Sequence, residues 1–399
     1  MRFKIPEHII IAPVNESLVT TNNTTYNDRF FISDTNTERQ FIINETTKIF
    51  IEKFIIPKTF QQVNKEIAAE IKAPVEEVKK IIHPFFKYIK HRQFLVPENY
   101  QKPVSTTTSL LNPAMVIDQY KIEQIIDAGD EVDIYKAVDV NSKKIAVIKL
   151  LKRPGRKKTR EFKREFNFLK LLNKTAVVPK PQIFVSSKQY TYFSQDFING
   201  LSFPQFIHDN NKLSRKKILK IITNILYAFK EIHIAGVVHG DIHPSNILIT
   251  RERTIKIIDF GLALNSSLDK DELVNFGGVY YFMPPERIEI STHNKFSRKP
   301  DFYSDVFQIG VVLFMLLYDQ YPFNGLTWEE LATAIKEKQI VFPERSKHGF
   351  TVPAWLKDII TVCVSKLPQK RFTNAKYLYN QFLKNITESA NKTRSAVKV

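Results

Sequence analysis

The stretch His239-Gly240-Asp241-Ile242-His243-Pro244-Ser245-Asn246-Ile247-Leu248 carries the densest chemistry in the chain. Two histidines, an aspartate and an asparagine precede an apolar pair. Thirteen residues after Asn246 comes Asp259-Phe260-Gly261, preceded by the apolar run Ile255 to Ile258. Upstream, Ala146-Val147-Ile148-Lys149 ends a predicted strand; downstream lie Met283-Pro284-Pro285-Glu286, Asp305-Val306-Phe307-Gln308-Ile309-Gly310 and Lys370-Arg371. Taken singly, Asp241 or Asp259 reads as a turn or cap residue and Lys149 as a strand-end surface lysine. Their joint order and spacing carry the information. The chain has only 11 glycines, none before Gly129, so each marks a place where the backbone needs one.

These ordered motifs resemble those of the eukaryotic-type protein kinases. The resemblance implies phosphoryl transfer from ATP with Mg²⁺, which calls for metal ions on the phosphates, a lysine on the nucleotide and a carboxylate beside the attacking hydroxyl. By that resemblance Asp241 is the catalytic-loop aspartate that accepts the substrate proton. Asn246 and Asp259 are the metal ligands, both hard oxygen donors suited to Mg²⁺. Lys149 reaches the α/β-phosphates, and its ion-pair partner is expected on the next helix: Glu165, with Glu161 as runner-up. Gly129 belongs to the phosphate loop. Ile134, Ala146 and Leu248 would sandwich the adenine, and Gln195-Asp196-Phe197-Ile198 reads as the hinge, with Gln195 guarding the back pocket. Glu286 and Arg371 match a buried salt bridge. Asp305 matches the residue that ties the central helix to the catalytic loop. Phe260, His239 and Leu169 match a stacked spine.

Three departures stand out. The family loop Gly-x-Gly-x-x-Gly is here Asp127-Ala128-Gly129-Asp130-Glu131-Val132, with only the middle glycine kept. Side chains at Asp127 and Val132 limit backbone approach to phosphate, and Asp127, Asp130, Glu131 and Asp133 are expected to put negative charge near it. Gly240 replaces the arginine that pairs with a phosphorylated activation loop, which predicts a kinase not switched that way. His243 replaces a lysine, and neutral imidazole would hold the γ-phosphate less firmly. His-Gly-Asp-Ile-His also resembles small-molecule kinases of the aminoglycoside and choline type, and bacterial lanthipeptide-synthetase kinase domains. Val279 stands where serine/threonine kinases usually have threonine. Ser266, Ser267, Tyr280 and Tyr281 are candidate phosphosites.

Working outward, residues 1–103 read as a separate small domain. Arg29–Ile32 and Gln40–Ile43 are predicted strands around a polar turn. Asn44-Glu45-Thr46 offers caps for a helix over Lys48–Phe54. Thr59 starts a second helix, with Val63, Ile67 and Ile71 at spacing four, and Pro74 opens a third, with Val75, Val78, Ile81, Ile82, Phe85, Phe86 and Ile89 on one stripe. Phe94–Val96 is a candidate closing strand. Strands, three helices and a wing describe a winged-helix-like module. Phe41 to Val96 also resembles the PqqD-like leader-recognition domains of peptide-modifying enzymes. That implies an extended peptide added to the edge strand Phe41–Ile43 and lying along Lys79, Lys80 and His83, where basic residues suit an acidic leader. Nucleic acid in the major groove is the competing partner. Glu76 and Glu77 at the start of the third helix argue against it, since they repel phosphate.

The expected fold class is therefore α+β: a bilobal kinase-like domain at 116–386, with an antiparallel N-lobe sheet plus helix (116–198) and a mostly helical C-lobe (199–386). The winged-helix-like domain precedes it through a linker at 104–115, and a basic tail follows at 387–399. Net charge is +18, and residues 1–110 hold 15 Lys/Arg against 12 Asp/Glu, so the basicity lies beyond them. One cysteine, Cys363, excludes a disulfide framework or multi-cysteine metal site and fits a reducing, cytoplasmic setting. No apolar run approaches the roughly 20 residues of a membrane span, and Ile9–Ala12 is too brief for a signal peptide. The expected function is an ATP-dependent serine/threonine protein or peptide kinase. A small-molecule kinase, a pseudokinase scaffold and a nucleic-acid-binding regulator are the alternatives.

Overall fold

The computed structural model describes residues 2–5, 9–13, 29–34, 39–91, 95–98, 109–210, 212–265, 279–288, 299–324 and 328–396. The chain forms two compact units, Met1–Ser105 with Gly325–Leu331, and Thr106–Asn324 with Ala332–Val399.

In the first unit, strand Arg29–Asp34 pairs with Arg39–Asn44 in antiparallel register, Ile32 opposite Phe41. The stretch Ile9–Pro13, read from sequence only as a brief apolar run, adds a third strand beside Arg29–Asp34. Arg39–Asn44 is thus an edge among the described residues. Helix Glu45–Glu52 follows directly. The helix Phe60–Glu70 starts at Thr59 because a capping box closes there: the Gln62 N–H donates to Thr59 Oγ1 at 3.1 Å and the Thr59 N–H to Gln62 Oε1 at 2.8 Å. Pro74 precedes helix Val75–His91 and its carbonyl accepts from Val78 at 3.2 Å. The closing strand is Val96–Pro97, which starts two residues later and ends one later than the sequence suggests, and it pairs with Arg2–Lys4; Phe94 lies outside the described residues. A core of Phe3, Phe50, Ile51, Phe54, Val63, Phe86 and Leu95 joins the strand Arg2–Lys4 to the three helices.

The second unit opens with a six-stranded antiparallel sheet. Its spatial order is Pro181–Ser186, Thr191–Asp196, Ile145–Leu151, Val132–Asp139, Tyr120–Ala128 and Val116–Ile117. The helix Arg156–Leu172 packs on it through Phe162 and Phe166, whose rings meet Phe193 at 4.8 and 5.7 Å. Leu111, in the stretch without periodicity, is buried in the core on this sheet.

The remainder is mostly helical: Phe203–Asp209, Arg215–Ile234, Phe302–Tyr318, Ala354–Cys363 and Ala375–Ala396. Nearly every side chain of Phe302–Tyr318 is buried, so this helix is apolar all round and forms the core of the lobe. Beside it, short strands Val237–Val238 and Ile247–Thr250 flank the 239–246 loop. The α+β architecture, with an antiparallel N-lobe sheet and a helical C-lobe, is as expected. Among the described residues no helix is long and apolar enough to cross a membrane.

Candidate active site

The 239–246 loop is held from below by the helix Phe302–Tyr318. Asp305 accepts from the His239 N–H at 2.7 Å and the Gly240 N–H at 2.9 Å. His233 Nε2 lies 3.0 Å from the same carboxylate. Because His233 Nδ1 accepts from the Ala375 N–H at 2.9 Å, the ring proton sits on Nε2 and points at Asp305. Gln308 Oε1 accepts from Ile242 N–H at 3.0 Å. Gly240 has φ +77°, and a Cβ there would come within 2.9 Å of the Leu262 carbonyl and 3.0 Å of Pro300. No arginine could occupy this position without a rebuilt loop. A cation arrives from elsewhere: the buried Arg287 donates from Nη1 to the Gly240 carbonyl at 3.1 Å.

Asp241 projects from this loop with one oxygen, Oδ1, buried and without a hydrogen-bond partner. Burial, and then the charge of Asp259, push its carboxyl up to about 7, although Arg287 draws it down. Its other oxygen lies 3.8 Å from His243 Nε2. Burial holds His243 down to about 4, so its imidazole is neutral at pH 7. Asn246 donates from Nδ2 to the Asp241 carbonyl at 3.0 Å, leaving its amide oxygen as the group able to meet a cation.

Lys149 comes from strand Ile145–Leu151, with Nζ 2.6 Å from Glu165 Oε1 and 3.8 Å from Asp259 Oδ1. Burial works against its charge, but Asp259 and Glu165 outweigh burial and keep its pKa above the usual lysine range. Glu161 lies elsewhere, 3.8 Å from Lys157, so the pairing falls to Glu165. Asp259 has φ +65°, a left-handed backbone that turns its carboxylate toward Lys149. That lysine, more than anything else, lowers the Asp259 pKa. Gly261 N–H caps Asp259 Oδ1 at 3.1 Å. His239 joins the two segments: its ring lies tilted against Phe260 with centroids 5.0 Å apart, Nδ1 accepts from Asp241 N–H at 3.3 Å, and Nε2 faces the Ile258 carbonyl at 3.3 Å. Leu169, on the helix Arg156–Leu172, is buried.

The other predicted residues line the sheet above. Gly129 sits in the turn between Tyr120–Ala128 and Val132–Asp139; a Cβ there would lie 2.6 Å from the Val132 carbonyl. Ile134 is opposite Lys149 and shares its face of the sheet; Ala146, opposite Ala137 and Asp196, does not lie on the adenine as expected, because strand alternation turns it to the other face, into the core with Ala137, Ile148 and Leu150. Ala146 and Gln195 are buried, while Ile134, Leu248 and Ile198 are half-buried. The Asp196 side chain turns to Gln182 at 3.0 Å. Of the four acids expected near phosphate, two are diverted: Asp133 is fully buried against Lys152 at 3.1 Å, and Glu131 meets Lys158 at 2.5 Å. Arg371 and Glu286 form a two-armed pair at 2.8 and 2.7 Å. Ser266, Ser267, Gly277 and Gly278 lie outside the described residues.

Sequence reasoning missed Arg287, Gln308, His233 and the Asp133–Lys152 pair. Only Arg287 left a signal: an arginine one step past Pro-Pro-Glu, in a chain whose loop lacks its own. As for metal, Asn246 and Asp259 both present oxygen, which fits Mg²⁺. Among the described residues there is no set of three or more His, Cys, Asp or Glu that could hold a cation.

Residues 120–383 match the protein kinase domain family. The chain is 28% identical over 265 residues to "Probable serine/threonine-protein kinase PknB" of Lactococcus lactis, covering 64% of this chain and 40% of that protein. It is 28% identical over 263 residues to serine/threonine-protein kinase PrkC of Bacillus subtilis, covering 64% and 39%. Against serine/threonine-protein kinase ppk11 of Schizosaccharomyces pombe it is 26% identical over 263 residues, covering 65% and 80%. This chain thus spans about two fifths of the length of the bacterial relatives. With the matched region filling well over half of its length, the chain belongs to the protein kinase family.

Proposed function

We propose that this protein transfers the γ-phosphoryl group of ATP, with Mg²⁺, to a serine or threonine hydroxyl of a protein or peptide. The observation that carries this reading is the buried Lys149–Glu165 pair leading to Asp259 in the same unit as the largely buried Asp241 carboxyl, raised by desolvation. Asp241 accepts the hydroxyl proton as the hydroxyl oxygen bonds to the γ-phosphorus and the bond to ADP breaks. Lys149 stays charged and holds the nucleotide phosphates. Asn246 and Asp259 would hold Mg²⁺, which would supply neutralising charge for the phosphates. His243, being neutral, offers hydrogen bonding rather than a point charge. The backbone at Ile198 and Asp196 meets the adenine, between Ile134 and Leu248, with Gln195 behind it.

Labelled ATP, Mg²⁺ and a generic peptide acceptor test the reading. Wild-type protein is expected to label the acceptor, and Lys149→Met to lower kcat/KM by at least about 100-fold. Labelling of aminoglycosides or sugars but not peptides would make it a small-molecule kinase. Equal turnover by Lys149→Met would remove the lysine from the mechanism.

The first unit, in this reading, is a winged-helix, PqqD-like module that recruits the peptide. Supporting it are the edge strand Arg39–Asn44 and the exposed lysines Lys79 and Lys80. Lys79 also pairs with Glu76 at 3.2 Å, and His83 packs 5.4 Å from Phe60, so Lys80 is the strongest of the three candidates. Fluorescence anisotropy of the full chain with an acidic peptide and with duplex DNA separates the partners. Peptide binding weakened by Lys80→Glu is expected; tight, salt-dependent binding to DNA alone would defeat the module's assignment.

A further inference from the structure

We infer that Lys152 is a positioning residue for the nucleotide, clamping the 129–132 turn in the place of the glycines it lacks. The inference rests on the kinase reading above and deepens it. A loop with glycine at its outer positions can bring backbone N–H groups onto phosphate from many poses. With Asp127 and Val132 there, the turn has less freedom, and its one pose must already be right.

Lys152 supplies that pose. Its backbone N–H donates to the Glu131 carbonyl at 2.8 Å, and its Nζ donates to the Gly129 carbonyl at 3.1 Å. One residue therefore grips both sides of a turn that closes on itself through Gly129 N–H to Val132 O at 3.1 Å. The same Nζ lies 3.1 Å from Asp133 Oδ1. Asp133 has no exposed side-chain surface, and Lys152 has 9%. A buried ion pair is costly to keep unless its geometry does something, because well-packed apolar residues would stabilise as much or more.

Asp133 is fastened in turn. Its Oδ2 accepts from the Leu110 N–H and the Tyr135 hydroxyl, both at 2.9 Å. That hydroxyl accepts from Ser109 Oγ at 2.7 Å and from Leu111 N–H at 3.1 Å. Asp133 and Tyr135, two apart on one strand, share a face of the sheet. The segment Ser109–Leu111 covers that face, so the chain entering this unit is wired to the turn through Asp133 and Lys152. The negative charge of Asp133 is at the same time kept off the phosphates.

Steady-state kinetics of the full chain with varied ATP and a fixed peptide acceptor test the clamp. In Lys152→Met, KM for ATP is expected to rise about tenfold while kcat changes less than about threefold. Lys152→Arg, which can still bridge carbonyl and carboxylate, should recover most of the loss. If Lys152→Met does not fold, the pair Asp133→Asn with Lys152→Met removes the stranded charge and is measured instead, with the same expectation. An unchanged KM for ATP in a folded variant overturns the clamp. So does a fall in kcat alone, or a KM for ATP that Lys152→Arg leaves as high as Lys152→Met. Failure of the wild type to turn over ATP would instead strike the kinase reading.

Discussion

Asp241→Asn is expected to lower kcat by about 10²–10⁴-fold and, above pH 7, to make the fold more stable. The catalytic loss follows from removing the carboxylate that the proposed mechanism uses to take the hydroxyl proton. The gain in stability follows from burial. In the folded protein the Asp241 carboxyl titrates near 7, well above its ordinary value of 3.8, because desolvation and Asp259 oppose its charge. The folded state therefore holds this proton more tightly than the unfolded chain does. Its contribution to stability is fully present below about 3.8 and is lost as pH rises through about 7. Above that, the protein keeps a charged carboxylate in a site that disfavours it. Three pH units correspond to about 4 kcal/mol, but a side chain with 21% exposure is partly screened, and roughly 1–2 kcal/mol is the expected gain. Asparagine does not titrate, so the variant should melt higher than wild type at pH 8 and level with it near pH 4. Thermal unfolding at both values checks this. Undiminished kcat, or an equal melting temperature at pH 8, would contradict the assigned environment of Asp241.

Asp305→Ala is expected to cost roughly 3–5 kcal/mol of stability and to lower kcat about 100-fold in whatever remains folded. Asp305 is fully buried and serves two backbone N–H groups and one histidine. Alanine strands all three donors where water cannot reach them. The same two N–H groups belong to His239 and Gly240, just before Asp241, so the loop that aims the carboxylate loses its anchor. Asp305→Asn keeps one acceptor oxygen and should cost about half as much. Urea unfolding should show a lower midpoint with unchanged slope, since the surface exposed on unfolding is the same. A midpoint within experimental scatter of wild type would mean that Arg287 and Gln308 hold the loop without Asp305.

Much of this was legible in one dimension because the chemistry demands fixed residue types across short spans. The 239–248 stretch and Asp259-Phe260-Gly261 are each a single loop or turn, and local backbone geometry sets their relative order. Thr59 with Gln62 is likewise a local exchange of hydrogen bonds. Other features stayed hidden because their partners are far apart in the chain. Glu161 and Glu165 lie on one helix four residues apart, and only packing against the sheet selects Glu165. Asp133 looked like one more acid near phosphate. A strand's alternation places it on the opposite face from Ile134, and the register of Ile145–Leu151 brings Lys152 beneath it.

The sequence by itself determined the order of the motifs, the lobes that hold them and the residue types present for phosphoryl transfer. Those follow from spacing, periodicity and capping, which act over a few residues. Tertiary structure alone decided how these groups are charged and held: an Asp241 carboxyl near neutrality, a His243 kept uncharged, an arginine from position 287 supporting Gly240, and Lys152 across the turn at Gly129. Desolvation and distance govern each of these, and both arise only when segments remote in sequence pack together.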